Sequence, residues 1–183
     1  MTSASEHYAL FETAIGTCGI AWSAHGLTRL QLPESDRGAT EGRLRKAAAA
    51  GAANPLPGIE AVIKEVQRYL VGERTEFAAA GLDLSGVKPF DRRVYEAARA
   101  LGWGETASYG EIARRIGDPG AARAVGQALS RNPIPIIIPC HRVLASGHRI
   151  GGFSAYGGTT TKERLLELEG VRSHTSAPML PGI

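Results

Sequence analysis

The sequence lacks long hydrophobic runs and has only two cysteines. It contains no stretch of about 18 apolar residues, which argues against a membrane span. Its first ten residues, MTSASEHYAL, show no basic start followed by an apolar stretch, so we expect no secretory signal. Cys18 and Cys140 are too few for a disulfide framework or a zinc cluster. Free thiols are typical of a reducing compartment, which predicts a cytoplasmic protein.

What the chain does contain is an ordinary globular composition with an uneven charge. Hydrophobic residues make up 43% and charged residues 21% of the 183 residues, a length that suits one or two small domains. Residues 1–87 carry eight Lys and Arg against ten Asp and Glu, whereas residues 88–164 carry twelve against six. The basic middle of the chain indicates either an acidic partner such as nucleic acid or a solvated basic face.

The first part of the chain predicts a small β-sheet. Residues 8–32 form three alternating apolar segments, separated by turn signals at Gly16 and at His25-Gly26. This is the pattern of three short strands. Residues 36–54 are rich in alanine and charge, and they predict a surface helix.

A clear amphipathic helix opens at Pro57. Its apolar residues recur at the spacing of one helix face and are Ile59, Val62, Ile63, Val66 and Leu70. Residues 72–87 predict a strand followed by a linker, and we place a domain boundary near residues 81–88.

Short helices are predicted after this boundary. Asp91 is placed to cap the first of them, and Gly102 is placed to end it. Ser108 and Glu111 form the pattern of a capping box ahead of the second helix.

A third short helix, residues 121–130, follows a turn in which Pro119 suits the first helical position. Its apolar stripe consists of Ala122, Val125, Ala128 and Leu129, and its opposite face consists of Arg123, Gly126, Gln127 and Ser130. Apart from the arginine, the opposite face is small and uncharged. Two interpretations stay open: the second helix of a helix-turn-helix that meets DNA, or close packing against another helix.

The segment NPIPIIIPC, residues 132–140, leads to the second cysteine. Its three prolines exclude a central strand, so we expect an extended segment that threads through the core and ends at Cys140. A free thiol has a pKa of about 8.5 and reacts as the thiolate, so a neighbouring base or positive charge would activate it. His141 and Arg142 are the candidates. The alternative is a buried apolar cysteine beside a satisfied core histidine.

The last helix of the chain offers an acidic partner for that histidine. Glu169 falls on the same face as Leu165 and Leu166, where an unpaired carboxylate is costly. Cys140, His141 and Glu169 would then form a nucleophile, a base and an orienting acid. The alternative is that Glu169 lies at the end of the helix and reaches water.

The motif IPCHRVL resembles the signature of the O6-alkylguanine-DNA alkyltransferase family, also called methylated-DNA–protein-cysteine methyltransferases. SYGEIA, AARAVGQAL, RNPIPIIIPCHRV and KERLLELEG resemble the same family in the same order and fall within residues 88–170. The resemblance implies an α/β (α+β) fold, with a ribonuclease-H-like sheet domain over residues 1–84. A mainly helical domain with a helix-turn-helix and the active-site cysteine would cover residues 88–172, and residues 173–183 would form a flexible tail.

Four catalytic residues are implied by this resemblance. Cys140 would accept the alkyl group, and His141 would deprotonate it through a water. Glu169 would orient His141, and Asn132 would hydrogen-bond within the site and link the helix before it to the cysteine segment.

The resemblance also implies contacts with DNA and with the damaged base. The residues concerned are Tyr109, Arg123, Gly126, Gln127, Ser130, Val143, Ser154 and Tyr156. Tyr109 would contact the guanine ring, and Arg123 would fill the place that the base has left. The segment GGFSAYGGTTTK is longer than its family counterpart by about two residues. It therefore leaves open whether Ser154 or Tyr156 supplies the hydroxyl for the guanine oxygen.

The activity implied is DNA repair by direct reversal of damage. The alkyl group of O6-alkylguanine, and of O4-alkylthymine, would pass irreversibly to Cys140 in a single turnover without a cofactor or a metal. The target base lies inside a duplex and must be flipped out, and binding would use the minor groove. We therefore expect a monomer that works on double-stranded DNA, away from membranes, in the cytoplasm and at the nucleoid.

Three rival functions remain to be distinguished. An alkyltransferase-like protein that marks lesions without repairing them would lack the acceptor cysteine. A cysteine hydrolase would turn over and would need an acyl site open to water. A DNA-binding regulator would have no use for a reactive thiol.

Overall fold

A computed structural model of the chain describes residues 6–78 and 80–172, so the predicted tail at residues 173–183 lies outside the described residues. Its strands are β1 (His7–Thr13), β2 (Gly16–Ser23), β3 (Gly26–Gln31), β4 (Gly51–Ala52), β5 (Ala107–Ser108) and β6 (Val143–Leu144). Its α-helices are α1 (Arg37–Arg45), α2 (Pro57–Leu70), α3 (Pro89–Arg99), α4 (Tyr109–Arg115), α5 (Ala122–Ser130) and α6 (Thr159–Leu168). The mixed α/β class predicted from the sequence is confirmed.

The larger sheet has the strand order β3-β2-β1-β4. β1, β2 and β3 pair antiparallel, as the alternating pattern predicts, and β4 pairs parallel to β1. Gly16 and Gly26 take positive φ angles of 123° and 141° in the two turns, a backbone conformation that glycine adopts at little cost. The predicted three-strand sheet is therefore confirmed.

The surface helix predicted over residues 36–54 is shorter than expected. α1 begins after Asp36, whose side chain accepts a hydrogen bond of 2.8 Å from the Ala39 amide, and it ends at Arg45. Gly51 and Ala52 instead form β4, because their backbone pairs with the free edge of β1. Alanine content alone predicts a helix here, and the edge of the sheet overrides it.

The strand predicted within residues 72–87 is wrong. Phe77 has a φ angle of 51°, which interrupts an extended backbone. The segment pairs with the sheet through the backbone of Leu27, whose amide donates to the Gly81 carbonyl at 2.9 Å and whose carbonyl accepts from the Asp83 amide at 2.8 Å. The division of the chain into domains at residues 1–84 and 88–172 stays a prediction.

The helix for which Asp91 is the predicted cap begins at Pro89, so Asp91 lies inside it. Pro89 occupies the first helical position of α3, where its missing N–H costs nothing. Asp91 lies in the first turn and is buried, and it accepts two hydrogen bonds from Arg131 at 3.1 and 3.0 Å. An ion pair to the residue after α5, rather than a cap, therefore explains this carboxylate.

α4 and α5 form the predicted pair of short helices. Ser108 and Glu111 make both hydrogen bonds of the capping box at the start of α4. Pro119 lies in the connecting turn instead of at the first position of α5, which begins at Ala122. Val125, with its apolar neighbours on α5, is buried against α3 and α4.

One hydrophobic cluster includes side chains of the sheet, of α2 and of the helices after residue 88. Among the helices of residues 6–78 and 80–172, we find none with the length and apolarity that crossing a membrane requires.

Candidate active site

The approach to Cys140 is a buried turn, not the extended segment predicted from the prolines. The Ile138 amide donates to the Ile134 carbonyl at 2.9 Å, and Ile136 has a φ angle of 71°. Such an angle is strained for a β-branched residue, so the fold must hold it in place. Asn132 does so from within the segment. Its side-chain amide donates to the Ile138 carbonyl at 2.8 Å, and its side-chain oxygen accepts from the Ile134 amide at 2.9 Å.

A 3-10 turn over Cys140–Arg142 follows directly. In an extended strand His141 would point away from Cys140. The helical turn supplies the bend that lets both side chains serve one site. All three residues of the turn are buried, and His141 is 0% exposed.

Glu169 is the electrostatic centre of the site. It follows α6 directly and is buried, and its carboxylate accepts hydrogen bonds from five donors. These donors are His141 Nε2 (2.8 Å), the Tyr69 hydroxyl (2.6 Å), Arg142 Nε and Nη2 (2.8 and 2.9 Å) and the Gly104 amide (3.1 Å). Burial works against the charged form, but these donors outweigh it and hold the pKa of Glu169 at about 2. The predicted pairing of Glu169 with His141 is present in the structure.

The two ring nitrogens of His141 have different surroundings. Nε2 is bound to Glu169 at 2.8 Å, and within the described residues Nδ1 is buried without a hydrogen-bond partner. Nδ1 is therefore the ring nitrogen that is free to take a proton.

Both members of the Cys140–His141 pair are neutral at rest. Burial raises the pKa of the Cys140 thiol, against the opposing effects of Asn132 and of the positive charge of Lys162. Burial likewise lowers the pKa of His141, and Glu169 opposes this shift. The thiol consequently needs a proton acceptor at the moment of reaction, and a neutral imidazole can fill that role.

Lys162 is a site residue that the sequence analysis missed. It is 1% exposed, and its ammonium donates to the Val143 carbonyl at 2.6 Å and lies 5.9 Å from the centre of the Tyr109 ring. Burial lowers its pKa to about 8. Lys162 stands three and four residues before Leu165 and Leu166, on the apolar face of α6, and this spacing was the signal available in the sequence.

Tyr69 is the second missed residue. It lies at the end of α2 and is 0% exposed, and its hydroxyl reaches both Glu169 and His141. Its position three residues after Val66 places it on the apolar face of α2, so burial was predictable, whereas its partners, 72 and 100 residues away, were not.

A cavity of about 360 Å³ opens onto Cys140. Its lining residues are Tyr109, Gly126, Leu129, Ser130, Cys140, Gly152, Phe153 and Ser154. The structure therefore brings four of the predicted base-contacting residues together around the thiol. Gly151 is packed so closely that a Cβ there would lie 2.5 Å from the Tyr109 hydroxyl.

The structure distinguishes the two candidate hydroxyls of the loop, which are those of Ser154 and Tyr156. Ser154 lines the cavity, whereas Tyr156 does not line it and is 56% exposed. Val143 does not line this cavity, and its carbonyl accepts a hydrogen bond of 2.6 Å from the Lys162 ammonium.

The predicted DNA contacts of α5 lie on its outer face. Arg123, Gln127 and Ser130 are exposed, and Gly126 is half-buried. Gly126 faces the ring of Tyr109, at a distance that would bring an added Cβ to 3.7 Å from it. An added Cβ would make only ordinary contact with this ring, so packing does not require glycine here, and the exposed Arg123 faces outward from the helix.

Residues 89–171 match the family model described as 6-O-methylguanine DNA methyltransferase, DNA binding domain. The methylated-DNA–protein-cysteine methyltransferase of Mycobacterium tuberculosis H37Rv is 39% identical over 91% of this chain and 94% of its own length. The Mycobacterium leprae protein of the same name is 51% identical, but the match spans only 62% of its length.

Solved structures agree over nearly the whole chain. Mycobacterium tuberculosis OGT in complex with DNA superposes with a TM-score of 0.72 and 39% identity, and the match covers 89% of this chain and 92% of that one. The O6-methylguanine-DNA methyltransferase of Pyrococcus kodakaraensis strain KOD1 gives a TM-score of 0.70 at 27% identity, with 91% and 99% covered.

Proposed function

Because this chain belongs to the family of methylated-DNA–protein-cysteine methyltransferases, we propose that it repairs DNA by taking the alkyl group of O6-alkylguanine onto its own Cys140. The observation that carries the proposal is the thiol itself. It lies at a cavity of about 360 Å³, beside a neutral histidine that a buried carboxylate holds.

The reaction that fits this arrangement conserves atoms and charge. The Cys140 proton moves to His141 Nδ1 through a water, and the thiolate attacks the alkyl carbon. An S–C bond forms, and the C–O6 bond breaks with its electron pair left on the guanine. The departing guanine takes the proton back, so the products are unmodified guanine and a thioether. No base of the site can reverse a thioether, which makes the protein a single-use reagent.

Asn132 and Lys162 have supporting roles in this proposal. Asn132 fixes both ends of the turn before the cysteine, which keeps the sulfur at the cavity. The ammonium of Lys162 favours the thiolate by its charge. Glu169 balances the imidazolium that forms while the proton is held by His141.

DNA binding rests on the basic part of the chain and on the outward face of α5. Gly126 and Ser130 border the cavity, and Arg123 and Gln127 continue the same face outward. A small smooth helix face fits the minor groove, and a base can enter the cavity only after leaving the stack. We propose that Arg123 then fills the gap in the duplex.

Ser154 is the residue we propose for the contact with the guanine oxygen, because it borders the cavity and Tyr156 does not. Tyr109 and the carbonyls of Cys140 and Val143 complete the base site. Action on O4-alkylthymine, a monomeric state and a cytoplasmic location at the nucleoid stay predictions.

A stoichiometric assay tests the proposal. The protein is mixed with an excess of duplex that carries one O6-methylguanine, and unmodified guanine is counted against time. We expect a plateau at one guanine per chain and a protein mass increased by one methyl group. A steady rate over many guanines per chain, or no product, would contradict the proposal. The same duplex with plain guanine is the control.

A further inference from the structure

Tyr69 connects the N-terminal part of the chain to the catalytic pair. It is the second-last residue of α2, and its ring is fully buried. Edge-on contacts hold that ring. Trp103 lies 5.5 Å away and His141 6.2 Å away between ring centres, and Phe77 lies 5.8 Å away at a tilt. The ring packing fixes where the hydroxyl points.

The hydroxyl takes part in a closed triangle of short contacts. It lies 2.6 Å from Glu169 Oε1 and 3.0 Å from His141 Nε2, and these last two atoms are 2.8 Å apart. A phenol has one hydrogen to donate and lone pairs to accept with. Only one assignment of hydrogens leaves each of the three contacts attractive.

That assignment follows from the carboxylate, which can only accept. If the Tyr69 hydrogen pointed at Nε2, the Tyr69 and Glu169 oxygens would face each other at 2.6 Å with no hydrogen between them. The Tyr69 hydrogen must therefore go to Glu169. The phenol oxygen is then left to accept, and Nε2 must carry a hydrogen that it shares between Tyr69 and Glu169.

We propose that Tyr69 is a positioning residue that holds His141 in the tautomer with the hydrogen on Nε2, which leaves Nδ1 as the base for Cys140. The proposal rests on the proposed function, since it assigns the base of that reaction. Burial, together with the charge of Glu169, raises the pKa of the Tyr69 hydroxyl, so the phenol keeps its hydrogen throughout the working pH range.

The contacts of Arg142 with Glu169 explain why His141 gains from a second hydrogen-bond acceptor. Two of its nitrogens bind Glu169, so much of the carboxylate charge is already balanced when the imidazolium forms. The phenol oxygen supplies His141 with an acceptor whose lone pairs no arginine shares. The ionisable groups that face His141 from the surrounding elements are Tyr69, Cys140, Arg142, Lys162 and Glu169.

Tyr69→Phe tests the proposal because it removes the hydroxyl and keeps the ring. Tyr95→Phe is a matched control. Tyr95 is also a buried tyrosine, at 1% exposed, and its hydroxyl donates to the Ala128 carbonyl at 2.9 Å, away from His141. Tyr69→Phe loses the hydrogen bonds to Glu169 and His141, whereas Tyr95→Phe loses one, so both should lower the melting temperature and Tyr69→Phe should lower it more.

The rate of alkyl transfer should distinguish Tyr69→Phe from Tyr95→Phe. In single-turnover reactions with free O6-benzylguanine, we expect Tyr69→Phe to slow transfer about fivefold at neutral pH, the factor for one hydrogen bond. Direct ionisation of the thiol should close most of that gap near pH 10. Tyr95→Phe should follow the wild-type rate throughout. A deficit of Tyr69→Phe that is constant over pH, or no deficit, would overturn the proposal.

The tautomer itself can be read by nitrogen NMR of the His141 ring. We expect the wild type to carry its hydrogen on Nε2 at neutral pH, and Tyr69→Phe to shift both ring nitrogen signals. A hydrogen on Nδ1 in the wild type, or unchanged signals in the variant, would overturn the role of Tyr69. Failure of the wild type to transfer the benzyl group would instead overturn the proposed function.

Discussion

Cys18 lies within β2 and Cys140 at the start of a 3-10 turn, and both thiols are buried. Burial raises the pKa of Cys18 to about 12, and its polar neighbour is the Thr13 hydroxyl at 3.7 Å. Burial raises the pKa of Cys140 as well, but Asn132 and Lys162 oppose the shift. The first thiol packs among the apolar side chains of the sheet, whereas the second borders a cavity.

The comparison teaches that burial alone does not make a cysteine inert. Reactivity depends on what else is buried with it, and around Cys140 this is a set of paired charged groups that an apolar core does not contain. Besides the hydroxyl of Tyr69, four buried charged or titratable side chains share that region, namely His141, Arg142, Lys162 and Glu169. Their hydrogen bonds compensate the cost of removing them from water.

The largest expected effect comes from exchanging the two thiols for alanine separately. Cys140→Ala should abolish transfer, because among the described residues that line the cavity none other is a nucleophile with a base beside it. Cys18→Ala should transfer at the wild-type rate and lose only about 1 kcal/mol of stability, the cost of a small cavity. Single-turnover transfer and thermal melting check both. Equal losses of transfer in the two variants would remove the distinction between the sites.

Glu169→Gln should have the next largest effect. The amide keeps the size of the side chain but cannot balance a histidine cation, so transfer at neutral pH should fall at least about tenfold. Raising the pH should recover part of the loss by ionising the thiol directly. Glu167→Gln, on the exposed side of α6, is the control and should react normally. A wild-type rate in Glu169→Gln would show that the relay is wrong, and melting curves report whether the variant folds.

Arg123→Ala should affect duplex DNA alone. We expect repair of an alkylated duplex to slow about tenfold, whereas the reaction with free O6-benzylguanine stays normal, because the arginine lies outside the cavity. Arg68→Ala on α2 removes the same charge and serves as the control. Equal losses on duplex and free base would mean that Arg123 supports the fold instead.

The last expected effect concerns stability instead of transfer, and it is a dependence of wild-type stability on acid. Glu169 has a folded pKa of about 2 against an ordinary value of 4.5, so it stabilises the fold above pH 4.5. As the pH falls from 4.5 towards 2, the unfolded chain binds this proton first and the contribution is lost. Urea unfolding across this range should show a steeper decline for the wild type than for Glu169→Gln. Parallel declines would contradict the depressed pKa.

Much of the local structure could be predicted from short-range patterns. The capping box at Ser108, the proline at the start of α2 and the two faces of α5 are confirmed, because each depends on residues within one or two turns. The errors have a different origin. The short α1 and the turn before Cys140 are decided by distant partners, which are the edge of β1 and the two contacts of Asn132.

The reactive residues of the candidate site could be predicted from the sequence, but the buried residues that contact them could not. The residue types and positions of Cys140, His141 and Glu169 indicate a nucleophile, a base and an orienting acid. Tyr69 and Lys162 look in sequence like one more aromatic and one more charged residue on an amphipathic helix. Their importance comes from contacts that only the folded chain creates, such as the hydrogen bond from Tyr69 to a carboxylate 100 residues away.

Locating the transferred group tests the central claim most directly. Wild-type protein is reacted to completion with duplex that carries O6-methylguanine, then digested and analysed by peptide mass spectrometry. We predict one methyl group per chain on the peptide that contains Cys140, with the Cys18 peptide unmodified. A methyl group on Cys18, on any other residue or on no peptide at all would contradict the account.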